Sequence, residues 1–221
     1  HAVILVDGRV AVYSSCVVHT VDHPIAQHTL LELRDALVPP DRFRRLARRL
    51  SLLITLDATR DLAVVPHSVD TPLETAHGAR LAEDIVVMPV LRAGLGMADV
   101  VLDVLPHARV GHIGLQRDEE TAVAAQYYLK VPSVTATTAV LVVDPMLATG
   151  GSAIAALDLV EAHGAVNIRL LSIVSAPEGV AAVQARHADV HIYTAAVDRQ
   201  LNARKYILPG LGDFGDRLYG T

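Results

Sequence analysis

Cysteine is nearly absent from this 221-residue chain: Cys16 stands alone, so no disulfide closes within it. A lone thiol fits a reducing compartment, and the cytoplasm is the expected location. Tryptophan is missing, and the aromatic residues together make up 4% of the chain. Packing must therefore rest on Val, Leu, Ile and Ala, as it does where parallel strands are buried on both faces. Lysine is almost as scarce: Lys130 and Lys205 stand alone in a chain of formal net charge −5. That balance argues against a sequence-independent nucleic-acid partner, whose binding needs clustered positive charge. No apolar run reaches the ~18 residues of a membrane span, so no membrane partner is expected. The opening HAVILVDGRVAVYSS has neither a basic n-region nor an initiator Met, and reads as a trimmed N-terminus rather than a signal peptide.

What is present points to one layered domain. Hydrophobic residues reach 52%, enough for a single well-buried core. Helical spacing covers His28–Leu37 and Asp41–Leu56, with Pro39-Pro40 breaking between them and Asp41 placed to cap the second. Asp61–Asp84 reads as a polar connector, relieved only by a possible short strand at 63–65. From Ile85 the text changes. Short apolar runs at Ile85–Leu91, Val110–Leu115, Ala139–Val143, Ile168–Val174 and Val190–Thr194 are strand candidates. Helix-like stretches at Gly96–Leu105, Ser152–His163 and Glu178–His187 fall between them. This rhythm predicts an α/β fold: a twisted, mostly parallel sheet flanked by helices. The tail 201–221 departs from the rhythm, and could fold back over the carboxyl edge of the sheet, where such folds bind ligands.

Four segments carry chemistry. In Leu141–Ser152 (LVVDPMLATGGS) a strand ends in Asp144 and a glycine pair opens a helix. The first-turn N–H groups and the positive dipole end of that helix suit a phosphate monoester, and Thr149 and Ser152 add hydroxyls. Asp144 is repelled by phosphate and is better placed to accept from sugar hydroxyls. A nucleotide-hydrolysing P-loop is excluded, because Gly151 stands where that motif needs Lys before Ser152. The second segment, GLGDFG at 210–215, matches GxGxxG but lacks the following helix and distant acid of a dinucleotide site. The third, PVLRAGLGM at 89–97, ends a strand at Arg92; an anion clamp and a plain surface arginine are both open there. The fourth, 117–131, reads as a flap bringing Arg117, Tyr128 and Lys130 over a site, with an ordinary hairpin equally open. Two further features have bland readings. The basic run Arg42–Arg49 is read as a solvated helix face, and His19, His23 and His28 are too irregularly spaced for a metal site.

Taken together, PVLRAGLGM, RDEET at 117–121 with YYLKVP at 127–132, VVDPMLATGGS and YILPGLGDFGDRLYGT at 206–221 resemble the uracil phosphoribosyltransferase family of type I phosphoribosyltransferases. HPIAQHTL at 23–30 and ATRDL at 58–62 extend the resemblance, and Pro145 after Asp144 is similar to the uracil-specific branch, where other type I members carry a second acid. The resemblance implies one domain over 1–221: an N-terminal extension at 1–22, a flap at 117–132 and a C-terminal hood for the base at 201–221. It implies conversion of uracil and 5-phosphoribosyl diphosphate to UMP and diphosphate, with Mg²⁺ entering on the diphosphate and no metal ligand set of the protein's own. By the same resemblance Asp144, Pro145, Met146, Leu147, Ala148, Thr149, Gly150, Gly151 and Ser152 hold the phosphoribosyl group, and Arg92 and Arg117 bind the diphosphate. Ile207, Gly212, Asp213 and Phe214 read uracil, with Asp213 also beside the phosphoribosyl group and catalytic together with Arg92 and Arg117. A homodimer or homotetramer is implied, and GTP activates some relatives, with no residue here that decides it.

Departures from the family pattern are Leu56-Asp57 before ATRDL and Phe214 at a place often held by Ala. Residues 1–16 match nothing in the pattern. Two other readings stay open on sequence: a regulator of this fold that binds nucleotide or RNA, and transfer to a different base. The acidic balance disfavours the first, and the Asp144-Pro145 and GDFGD strings disfavour the second.

Overall fold

A computed structural model of the chain describes residues 18–117 and 124–221, with the backbone alone at 3–6, 9–12, 117, 124 and 125. Cys16 and residues 118–121 of the RDEET run lie outside the described residues. Strands β1 (Val3–Val6) and β2 (Arg9–Val12) pair antiparallel. Then follow β3 (Val18–Thr20), helices α1 (Pro24–Arg34) and α2 (Pro40–Ala58), and the hairpin of β4 (Val64–Asp70) and β5 (Thr75–Leu81). The middle of the chain runs β6 (Ile85–Leu91), α3 (Leu95–Val104), β7 (Arg109–Val110), β8 (His112–Arg117) and β9 (Ala124–Lys130). The last part runs β10 (Ala139–Val143), β11 (Met146–Leu147), α4 (Gly151–Ala162), β12 (Asn167–Ser175), α5 (Pro177–Arg186), β13 (His191–Val197), β14 (Gln200–Leu201), β15 (Ile207–Leu208) and α6 (Phe214–Tyr219).

The main sheet has the strand order β3-β13-β12-β10-β6-β8-β9. Every pairing along it is parallel except that of β8 with β9. Side chains alternate across a strand, and here both faces are apolar. Ile85, Val87, Leu141, Val143, Leu171 and Ile173 belong to a core shared with α1, α2, α3 and α6. Val86, Met88, Val140, Val142, Leu170 and Ile192 pack instead with Ala153, Leu157 and Val160 of α4 and Val180 and Val183 of α5. Three layers result, and the near-continuous aliphatic strands β6, β10 and β12 are the sequence counterpart of burial on both sides.

The parallel strands from β6 onward and helices α2 to α5 lie close to their expected positions, whereas β3 was not anticipated and Pro39, not Asp41, stands at the cap of α2. Three further regions differ. Helix α1 starts at Pro24, because proline suits the first helical position and the His23 ring accepts from Ile25 N at 3.1 Å as a cap. The stretch read as a polar connector folds as the β4–β5 hairpin, paired from Val64↔Leu81 to Asp70↔Thr75. Its residues are all exposed, so the burial alternation that marks a strand in sequence is missing. The tail read as turn-rich contains α6, which Asp213 caps by accepting from Asp216 N at 2.9 Å. The basic run does form a solvated face: Arg42, Arg45 and Arg48 pair with Glu32, Asp41 and Asp103, while Phe43, Leu46, Ala47 and Leu50 face inward.

Leu141 is fully buried in the central strand β10. Leu141→Ala is expected to destabilise the protein by about 2–5 kcal/mol through lost burial and a residual cavity. Urea unfolding measures it, and a loss below about 1 kcal/mol would show that the core collapses freely around β10.

Candidate active site

The chain winds outward from β10 and β6 in opposite directions. From β6 it passes through α3, on one face, to β8; from β10 it passes through α4, on the other face, to β12. Neighbouring strands whose connections leave on opposite faces open a crevice at their carboxyl ends. Asp144 follows β10 and Arg92 follows β6, and these strands pair directly, with Val143 opposite Pro89. Arg117 ends β8, the next strand over, and Asp198 follows β13. The predicted acid and the two predicted arginines thus share one sheet edge, although the Arg117 side chain lies outside the described residues.

The loop after β10 forms a small recess of about 30 Å³ lined by Asp144 and by every residue from Met146 to Ala153. Its course is set by backbone bonds. The Pro145 carbonyl accepts from Ile173 N at 3.0 Å and Val174 N at 3.1 Å, and Leu147 N donates to Ser172 Oγ at 3.1 Å. Pro145 is therefore buried against β12 rather than lining the recess, while Thr149 and Ser152 lie on its wall. Gly150 has φ +86°, a conformation that L side chains avoid, and this turn aims the start of α4 at the recess. The first turn of a helix has N–H groups without intrahelical acceptors, so the recess presents donors and a positive dipole end.

The hood stands beside it. A pocket of about 290 Å³ is lined by Arg204, Lys205, Tyr206, Ile207, Gly212, Asp213 and Phe214, closed by Met146 and Ala148 of the loop. All four residues assigned to uracil by the resemblance line this pocket, and Met146 and Ala148 belong to both cavities. Phe214 is only 2% exposed, its ring packed edge-on against Phe43 at 5.2 Å, so it supports the pocket floor from the core.

Arg92 is exposed at the mouth of the crevice, where its carbonyl accepts from the Tyr219 hydroxyl at 3.3 Å. The predicted flap is an antiparallel hairpin of β8 and β9 with a register shift at Gly114/Leu115, and Tyr128 and Lys130 are exposed along it. His19 bonds His191 at 3.1 Å and stacks on Tyr193, so it belongs to the far edge of the sheet. Among the described residues, one group of three possible metal ligands occurs, Asp158, Glu161 and His187. It ties α4 to the end of α5, away from the loop and hood.

Sequence reasoning missed the groups that hold the hood from behind. Arg34, the last residue of α1, and the buried Asp198 both bond Gly210. Arg217 of α6 donates back to the carbonyls of Leu33, Asp35 and Leu211. Burial holds its guanidinium below the ordinary arginine value, with Asp35 opposing. Asp198 carried a usable signal, since it follows a strand just as Asp144 does; Arg34 and Arg217 look like ordinary surface cations.

Comparison with known proteins identifies the family and the fold. The profile of the uracil phosphoribosyltransferase family matches residues 20–221. A uracil phosphoribosyltransferase from Thermosipho africanus is 47% identical over 205 residues, 92% of this chain and 99% of its own. One from Dictyoglomus turgidum is 51% identical, over 91% and 98%. A protein of solved structure from Aquifex aeolicus superposes with TM-score 0.88 at 33% identity, covering 93% of this chain and 99% of that one. The adenine phosphoribosyltransferase of Trypanosoma brucei, at 15% identity and TM-score 0.55 over 87% and 85%, shares the fold. With the loop, the crevice and the hood in place, this chain belongs to the uracil phosphoribosyltransferase family.

Proposed function

We propose that this site transfers the 5-phosphoribosyl group from its diphosphate to uracil, yielding UMP and diphosphate. The observation that carries the reading is the shared wall: the phosphate recess and the hood pocket meet at Met146 and Ala148. A nucleotide has a phosphate at one end and a base at the other, and two adjoining cavities suit those two ends. The bond from the ribose anomeric carbon to the diphosphate oxygen breaks, a bond to a uracil nitrogen forms, and that nitrogen releases its proton. Positive charge grows on the anomeric carbon as the diphosphate leaves. Catalysis then consists of neutralising the leaving group with Arg92 and Arg117, and of setting the Asp213 carboxylate near the growing positive charge. Backbone amides and carbonyls around Ile207 and Gly212 match the amide-like edge of uracil, and closure over them excludes water.

Mg²⁺ fits this donor set as a partner of the substrate. Among the described residues Asp144 is the one carboxylate lining the recess, which falls short of the octahedral oxygen set that Mg²⁺ prefers. Diphosphate oxygens and water would supply the rest, and the ion would contribute charge neutralisation on the leaving group. A cytoplasmic location suits the lone cysteine. Assembly into a homodimer or homotetramer is supported by the β4–β5 hairpin, whose residues are all exposed, Val64 at 60% and Leu73 at its turn at 96%. Two strands alone are marginal in water, and a second copy is the natural cover for these apolar side chains.

Three outcomes follow. Mixed with 5-phosphoribosyl diphosphate and Mg²⁺, the protein is expected to form nucleotide from uracil and from no other common base. Chelation should stop turnover and Mg²⁺ restore it; folded protein that makes no UMP refutes the reading, and the same assay with added GTP reads activation directly. Asp213→Asn keeps an acceptor for the α6 cap but removes the charge. It should lower kcat roughly 100-fold or more with the melting temperature little changed, and near-wild-type kcat would remove Asp213 from the mechanism. Light scattering should give at least twice the 23.6 kDa of one chain, and a monomeric mass would refute the hairpin interface.

A further inference from the structure

Asp198 and Arg34 form a fork: Nη1 donates to Oδ2 at 2.8 Å and Nη2 to Oδ1 at 2.6 Å, with side-chain exposures of 5% for Asp198 and 19% for Arg34. The same two side chains bind both polar groups of one residue. Gly210 N donates to Asp198 Oδ2 at 2.9 Å, and Gly210 O accepts from Arg34 Nη1 at 2.9 Å. Gly210 lies where no other residue fits, with φ +62° and space for a Cβ only 2.1 Å from the Ile207 carbonyl oxygen. It stands between the two halves of the base pocket wall, Arg204–Ile207 on one side and Gly212–Phe214 on the other.

Stability alone does not account for such a pair. Withdrawing two charges from water is costly, and apolar residues of similar volume often serve as well or better. What a planar fork adds is a single permitted orientation. We infer that Arg34 and Asp198 are positioning residues that set the hood against the sheet and thereby fix the main-chain edge offered to the base. The inference deepens the proposed function and rests on it for the identity of the base.

The clamp is separate from the phosphate loop, which is held by Ser172 and the β12 backbone. Its loss should therefore fall chiefly on uracil, the donor being held mainly by that loop and reached by the hood only through Asp213. Arg217 fastens the hood at a second place through the Leu33 and Asp35 carbonyls, so the variants keep a route to a folded hood.

The test uses Arg34→Lys, Asp198→Asn and the apolar double variant R34M/D198L. Both single variants should raise KM for uracil about 10-fold or more while KM for the donor stays within about twofold. The double variant should regain part of the thermal stability lost in the single variants, short of the wild-type value because Gly210 N and O lose their partners, without recovering KM for uracil, which separates positioning from packing. Amide exchange should quicken over 206–214 in all three and stay unchanged over 144–152. Parallel changes in both KM values, restoration of uracil KM by the apolar pair, or unchanged exchange in the hood would each overturn the inference. Failure of the wild-type protein to make UMP would refute the function instead, and the exchange measurement would still decide the clamp.

Discussion

A parallel sheet buried on both faces has one place to receive a polar ligand: its carboxyl edge, and on that edge the gap where successive connections part to opposite sides. Here the gap lies between β6 and β10. The rest of the site is hung from it. Asp144 and Arg92 stand at the carboxyl ends of those two strands, with Arg117 one strand further out. The helix after β10 starts over the gap and brings its dipole with it. The C-terminal segment, which has no place in the sheet, returns across the same edge and closes it as a hood.

Under the proposed function, recognition is mostly a task of the main chain. The recess is walled by a loop whose turn needs Gly150 at positive φ, and the hood turns at Gly210 for the same reason. Main-chain groups recognise well only when they are held rigidly, because a loose loop must lose entropy on binding. The scaffold meets that need with bonds that do not touch the ligand: Leu147 to Ser172 beneath the loop, and Arg34 with Asp198 beneath the hood.

How much of this could be read from the sequence follows from how local each cause is. The strands β6, β10 and β12 were legible because burial on both faces leaves unbroken aliphatic runs. The course of the loop after β10 was legible because its parts are contiguous, and Gly212, Asp213 and Phe214 of the pocket wall because GDFGD is a distinctive string, with Ile207 in the YILPG run just before it. The β4–β5 hairpin was not, since a hairpin without a buried face leaves no alternation to detect. Helix α6 was hidden by glycines that, in isolation, argue for a turn, and it exists because Asp213 caps it and Phe214 reaches Phe43. Asp198 carried a signal of its own, but its pairing with Arg34 was invisible for a simpler reason: 164 residues separate the partners.

The scarcity of lysine has a structural counterpart. Helix ends have carbonyls without intrahelical donors, and in this protein arginines from distant elements satisfy several of them. Arg169 of β12, 6% exposed, donates to the Ala58 carbonyl at the end of α2 while pairing with Asp61 at 2.6 Å. Arg44 of α2 donates to Leu218 O in the last turn of α6 at 2.8 Å. Arg217 of α6 serves Leu33 and Asp35 at the end of α1, its guanidinium 4.4 Å from the centre of the Phe43 ring. Arg169 and Arg217 each need a cation that donates along several fixed directions at once and tolerates partial burial. A guanidinium does so, whereas an ammonium on a flexible stem is more strongly hydrated and has no planar fork. The chain of contacts α2 to α6 to α1, and then through Arg34 to Gly210, links the helical layer to the hood pocket. Arginine is therefore the residue that ties a hood with no strand in the main sheet to the helical layer.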